Sequence, residues 1–223
     1  MNLIEYADRE LMMIDLANQI AEELENTLLH EDRASLAVAG GTTPGPVFDS
    51  LCAADIEWAR VDVMLSDERW VPESSPRSNT RLVKTRLLKD RAAAANWIPL
   101  YVDGPAPEAA IVALSEPIRA CLPISVVLLG MGADMHTASL FPGADRLREA
   151  LSKDAPELLA MRAPGAGEPR VTLSARVLND AISKHIVITG IEKKEALLGA
   201  GRLPAEEAPV TAVWDGATIH WAA

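Results

Sequence analysis

The chain has 223 residues, 49% hydrophobic and only 4% aromatic, which suits one α/β domain over residues 1–223 with an aliphatic core. A formal net charge of −11 repels phosphate polymers and anionic lipid, so nucleic acid and membrane are excluded as partners; a small anion held by local cations is not. No apolar run approaches the ~20 residues that span a bilayer, MNLIEYADRE lacks a signal-peptide core, and Cys52 and Cys121 read as reduced thiols, which together place the chain in the cytoplasm.

In chain order, Leu11, Ile14, Leu16, Ile20 and Leu24 recur at helical spacing and predict an amphipathic helix over 8–29. ASLAVAGG is a short apolar run ending in glycines, a buried strand. TTPGPVFDSLCAA predicts a helix with Thr43 as N-cap and Pro44 at its first position. VDVMLSDE is a second strand, followed by a polar loop over 69–79 and a helix over 80–90. Residues 107–120 read as helix, ISVVLLG as strand and HTASLF as a short helix. ELLAMRA predicts a strand, and MRAPGAGEPR is the segment best suited to a mobile loop. LSARVLNDAIS reads as helix, HIVITG as strand, IEKKEALLGAG as helix, and PVTAVWDGATIHWAA as one or two closing strands. Strands alternating with helices imply a mostly parallel sheet with helices on both faces.

Ligands of such sheets bind at the C-terminal strand ends. The four apolar strands release Gly40, Gly41, Thr42 and Thr43; Ser66, Asp67, Glu68 and Arg69; Gly130, Gly132, Asp134 and His136; and Gly190, Lys193 and Lys194. Parallel strands bring these groups to one edge. AGGTTP aims backbone amides and a helix N-terminus at one point, which favours phosphate. An ordinary tight turn with a threonine cap explains the same residues. Arg69 suits an oxyanion or phosphate through its guanidinium fork, although SDER also fits a solvated ion pair. His136 is the candidate general base and Asp134 its neighbouring carboxylate; a histidine packed under a loop is the plainer reading. Lys193, Lys194 and Arg170 are further candidate cations against a background of ordinary surface charge. His30, His185 and His220 read as structural or surface residues. No His/Glu pair stands at zinc-helix spacing, and no metal is assigned.

AGGTTPGPVF, VMLSDERWVP, SNTRLVKTRLL, LLGMGADMHTASLFPG and RVTLSARVLNDA occur in the order found in the 6-phosphogluconolactonase family, which the chain resembles from about Leu36 to Trp214. The resemblance implies a Rossmann-like fold shared with glucosamine-6-phosphate deaminase and ribose-5-phosphate isomerase. It implies hydrolysis of 6-phosphoglucono-δ-lactone to 6-phosphogluconate in the oxidative pentose phosphate pathway, with no cofactor and a small phosphosugar lactone as partner. By the same resemblance His136 matches the catalytic histidine and Asp134 the aspartate beside it. Arg69 matches the arginine of the Asp-Glu-Arg motif that Asp67 opens, and Gly40, Gly41 and Thr42 match the sugar-phosphate turn. Asn79 matches the asparagine of Ser-Asn, Arg170 the arginine before Thr-Leu, and Lys193 the lysine after the fourth strand. One departure stands out: the family has glycine before the histidine, and this chain has Met135, where a positive φ or a close approach to substrate is expected to demand glycine. Alternatives are an amino-sugar or aldose/ketose phosphate isomerase of the same fold, or a sugar-phosphate binder silenced by Met135. Monomer and homodimer are both compatible with the sequence.

Overall fold

Asp8 opens the first helix by accepting the Leu11 amide on Oδ1 at 2.8 Å. The structure, a computed structural model, describes residues 1–223. β1 (Asn2–Glu5) precedes that cap and α1 (Arg9–Leu28) follows it, burying Met12, Leu16, Ile20 and Leu24 along one stripe. β2 (Ala34–Val38) leads through the glycine turn to α2 (Gly45–Leu51), and β3 (Val61–Leu65) is followed after Ser66 by β4 (Asp67–Arg69). α3 (Asn79–Arg86), β5 (Asn96–Ile98), α4 (Ile111–Arg119) and β6 (Val126–Gly130) come next. The rest is α5 (Leu147–Ala150), β7 (Leu158–Met161), β8 (Arg170–Leu173), α6 (Ala175–Asn179), β9 (Ser183–Thr189), α7 (Ile191–Ala200) and β10 (Thr218–Ala222).

Seven strands form a parallel sheet in the order β1-β10-β9-β6-β2-β3-β5. β2 and β3 are buried at all five positions, so both faces of the sheet are covered and alternation disappears from their sequences. From β2 the chain builds outward through β3 and β5, then crosses back to place β6 on the other side. The topological switch point therefore lies between β2 and β6. A small antiparallel sheet, β4-β8-β7, stands beside it. No helix is long and apolar enough to cross a membrane.

Several expectations change. The second strand does not run to Glu68; it ends at Leu65, and Asp67–Arg69 turn away to pair with Arg170–Thr172 in the small sheet. Helix α2 begins at Gly45 after Pro44, because the positive φ of Gly41 carries the chain further round before it coils; Thr43 is not its cap. HTASLF is not a helix: Ala138 has φ +48°, and Thr137 bridges Leu140 as a tight turn. The final stretch, expected as one or two strands, forms one, Thr218–Ala222, with residues 209–212 in a 3-10 turn.

Beneath α1 lies a buried polar chain. Tyr6 Oη donates to Asp15 at 2.7 Å and stands 2.9 Å from His220 Nδ1. His220 Nε2 is 3.0 Å from His185 Nδ1, and His185 Nε2 is 2.8 Å from Glu23. Because Tyr6 gives its proton to Asp15, it accepts one from His220 Nδ1. Burial first, and then His185 beside it, push the His220 pKa down to about 4.

Candidate active site

The C-terminal ends of β2, β3, β6 and β9, neighbours in the sheet, surround a cavity of about 260 Å³. Nine of the ten residues matched through the family resemblance line it: Gly40, Gly41, Thr42, Asp67, Arg69, Asn79, His136, Arg170 and Lys193. Asp134, the tenth, stands outside the lining but touches His136. Thr43 and Gly132 join the wall, whereas Lys194 does not. Lys194 instead pairs with Glu5 at 2.7 Å and lies over Trp221.

The turn after β2 presents donors. None of the N–H groups from Gly40 to Thr43 bonds another protein group. Helix α2 is short and starts beyond this turn, so the anion-binding potential resides in the loop amides rather than in a helix terminus. A Cβ at Gly40 would overlap the Asn79 side chain, so only glycine lets the strand end pass that close. Asn79 in turn donates through Nδ2 to the Asp67 carbonyl at 3.0 Å, tying α3 to β4.

Arg69 and Arg170 are Cα partners across the antiparallel β4–β8 pair. Like charges directly opposite repel, and here neither Nε finds a hydrogen-bond partner although both atoms are buried. Arg69 Nη1 is spent on the Arg77 carbonyl at 2.7 Å, and Arg77 forks onto Glu168, which draws the 161–170 loop to this corner. Burial pushes the Arg170 guanidinium below its usual range; Asp67, 3.6 Å from Nη1, pulls it back, and Arg69 pushes it further down. Asp67 also accepts from Ser139 Oγ at 2.6 Å, so it braces Arg170 and the 137–140 turn rather than His136.

His136 leaves β6 through Gly130 and Gly132. The turn closes with Gly132 N–H donating to the His136 carbonyl at 3.0 Å. His136 Nδ1 is 2.5 Å from Asp134 Oδ1, and no protein group bonds Nε2. Met135 takes a φ of +64°, the conformation expected to favour glycine. Its side chain packs against the hydrophobic core and does not line the cavity, so it neither narrows the pocket nor reaches a ligand there.

Sequence reasoning gave no site role to three contributors, Glu68 being collected only as one of the residues at the second strand's end. Glu68, fully buried, accepts from the amides of Arg69, Asn79 and Thr80 and from the hydroxyls of Ser78 and Thr80, so it welds β4 to the start of α3. Burial pushes its carboxyl up, and these donors pull it back. Ser139 holds Asp67, and Phe141 stacks on His136 with ring centroids 4.1 Å apart. For Glu68 the signal was the Ser-Asn-Thr cluster of donors; for Ser139 and Phe141 the local sequence held none.

The model of the family described as glucosamine-6-phosphate isomerases/6-phosphogluconolactonase matches residues 7–221. The chain is 43% identical over 214 residues to a 6-phosphogluconolactonase of Rhizobium meliloti, covering 93% of this chain and 92% of that one. It is 41% identical over 223 residues to one of Mesorhizobium japonicum, with 97% and 93% covered. The crystal structure of a 6-phosphogluconolactonase from Shewanella baltica superposes with a TM-score of 0.95 at 30% identity, covering 100% of this chain and 97% of that one. The chain belongs to the glucosamine-6-phosphate isomerase/6-phosphogluconolactonase family.

Proposed function

We propose that this family member hydrolyses 6-phosphoglucono-δ-lactone to 6-phosphogluconate, the lactone-opening step of the oxidative pentose phosphate pathway. One observation carries the reading: two guanidinium groups, each with a buried unpartnered Nε, share a cavity with a histidine whose second nitrogen is unbonded. The relatives named above carry this activity in their names, which favours it over sugar-phosphate isomerisation. The turn amides of Gly40–Thr42 and the cations Arg69, Arg170 and Lys193 share the work of holding the phosphate and meeting the oxyanion.

Asp134 holds the Nδ1 edge of His136, and Nε2 takes a proton from water. The hydroxide equivalent attacks the lactone carbonyl carbon, and a guanidinium or backbone N–H stabilises the tetrahedral oxyanion. The bond to the ring oxygen then breaks, and His136 returns its proton to that oxygen. Every proton is accounted for within the substrate, one water and His136, so the step needs no cofactor.

The test is hydrolysis of fresh lactone, followed against a buffer blank because the ester also opens spontaneously. The protein is expected to exceed the blank, and His136→Ala to lose about a hundredfold or more of that rate. Near-parental turnover in His136→Ala removes the histidine from the role; a parent no faster than buffer removes the lactonase reading.

A further inference from the structure

Phe141 touches two parts of the site that come from different strands. Its ring lies against the His136 imidazole at an interplanar angle of 27°, and the Arg170 Cζ stands over it, 5.4 Å from the centroid. The ring is itself held. Ser139, two residues earlier, donates its hydroxyl to Asp67, and its amide reaches Thr172 Oγ1 at 3.2 Å. Thr137 and Leu140 close the turn between them, and the Phe141 carbonyl accepts the Ala144 amide at 3.1 Å. The turn is therefore pinned to both strands of the Arg69–Arg170 pair.

We propose that Phe141 is a positioning residue that sets the histidine and the Arg170 guanidinium in one fixed relation. Asp134 grips the imidazole at a single edge and is itself exposed, so one hydrogen bond leaves the ring plane free to swing. Stacking on Phe141 removes that freedom and fixes the direction of Nε2. The same ring offers its π-system to Arg170, whose guanidinium has lost most of its water. One aromatic side chain thereby sets the distance from base to anion, which is the dimension the substrate spans. This inference rests on the lactonase reading.

The test replaces the ring with apolar groups in Phe141→Leu and Phe141→Met, and retains it in Phe141→Tyr. Inorganic phosphate affinity, measured by calorimetry, reads the Arg170 half without turnover. Lactone hydrolysis reads the His136 half. Loss of the ring is expected to weaken phosphate about threefold to tenfold and to lower kcat about tenfold, with Phe141→Tyr recovering most of both. In a His136→Ala background, Phe141→Leu is expected to weaken phosphate still, without slowing the residual reaction further. A ringless variant that binds phosphate and turns over like the parent overturns the proposal, as does a loss that Phe141→Tyr shares in full. A parent without turnover overturns the lactonase reading instead, and phosphate affinity still decides the Arg170 half.

Discussion

Two histidines in this molecule sit against a carboxylate. His136 Nδ1 is 2.5 Å from Asp134, and His185 Nε2 is 2.8 Å from Glu23. The pairs differ in the other nitrogen. His185 spends its own on His220, inside a buried chain that runs on through Tyr6 to Asp15. His136 keeps Nε2 unbonded at the wall of a cavity that also holds Arg69, Arg170 and Lys193. The carboxylate is common to both, so it does not distinguish a base from a structural link. An unbonded nitrogen facing a ligand-sized space does.

The largest expected effect belongs to the buried chain that His185 joins, at His220. His220 is neutral in the fold and depressed to about 4, whereas an unfolded chain protonates it near 6.5. The unfolded state then binds the extra proton first, so stability is full above pH 6.5 and falls as pH drops toward 4. The loss amounts to about 3 kcal/mol. Urea unfolding between pH 7.5 and 4.5 should show it, and His220→Asn should flatten the slope. An equally steep slope in that variant would assign the acid sensitivity elsewhere.

The exposed pair is sharpened by Gly132→Ala. A methyl there would overlap both His136 Nδ1 and Asp134 Oδ1, so the dyad must shift while the core stays as it is. A displacement of that kind is expected to cost between about tenfold and a hundredfold in kcat with little change in Tm. Parental kinetics would mean that the dyad's geometry is not critical. Met135→Gly is expected to do least. Relief of the left-handed conformation and the freedom of glycine in the unfolded chain oppose one another, leaving stability within about 1 kcal/mol of the parent. Activity should stay within about threefold, because the methionine side chain is outside the cavity. A large gain in rate would show that Met135 restrains His136.

Much of the fold was legible because the central strands are buried on both faces and therefore appear as short, mainly apolar runs with few polar interruptions: SLAV, VDVML, VVLL and HIVIT. The parallel arrangement then carried their polar ends to one edge, so the residues of the site could be collected without knowing their contacts. What escaped depends on partners distant in sequence. β4 is the polar tripeptide DER, a strand only because Arg170–Thr172 lie alongside it. HTASLF has helical spacing, and the positive φ of Ala138 that breaks it is not visible in an alanine. His185 and His220 were rightly read as structural, but both are buried, and their meeting follows from the register of β9 against β10. Phe141 had no assigned role in the sequence, because only the fold sets it beside His136.

The pairing of β1 with β10 sets an order of events during synthesis. Residues 2–5 are synthesised before every other strand of the sheet, yet the strand beside them, Thr218–Ala222, is made after all the others. β1 must wait for its partner until every other strand of the sheet has been made, and Tyr6 waits with it for His220. The core strands can assemble meanwhile, but the sheet gains this edge only once β10 has emerged. Completion of the edge thus depends on β10, and a product cut short before β10 would show an unpaired strand and a severed histidine link to anything that inspects it.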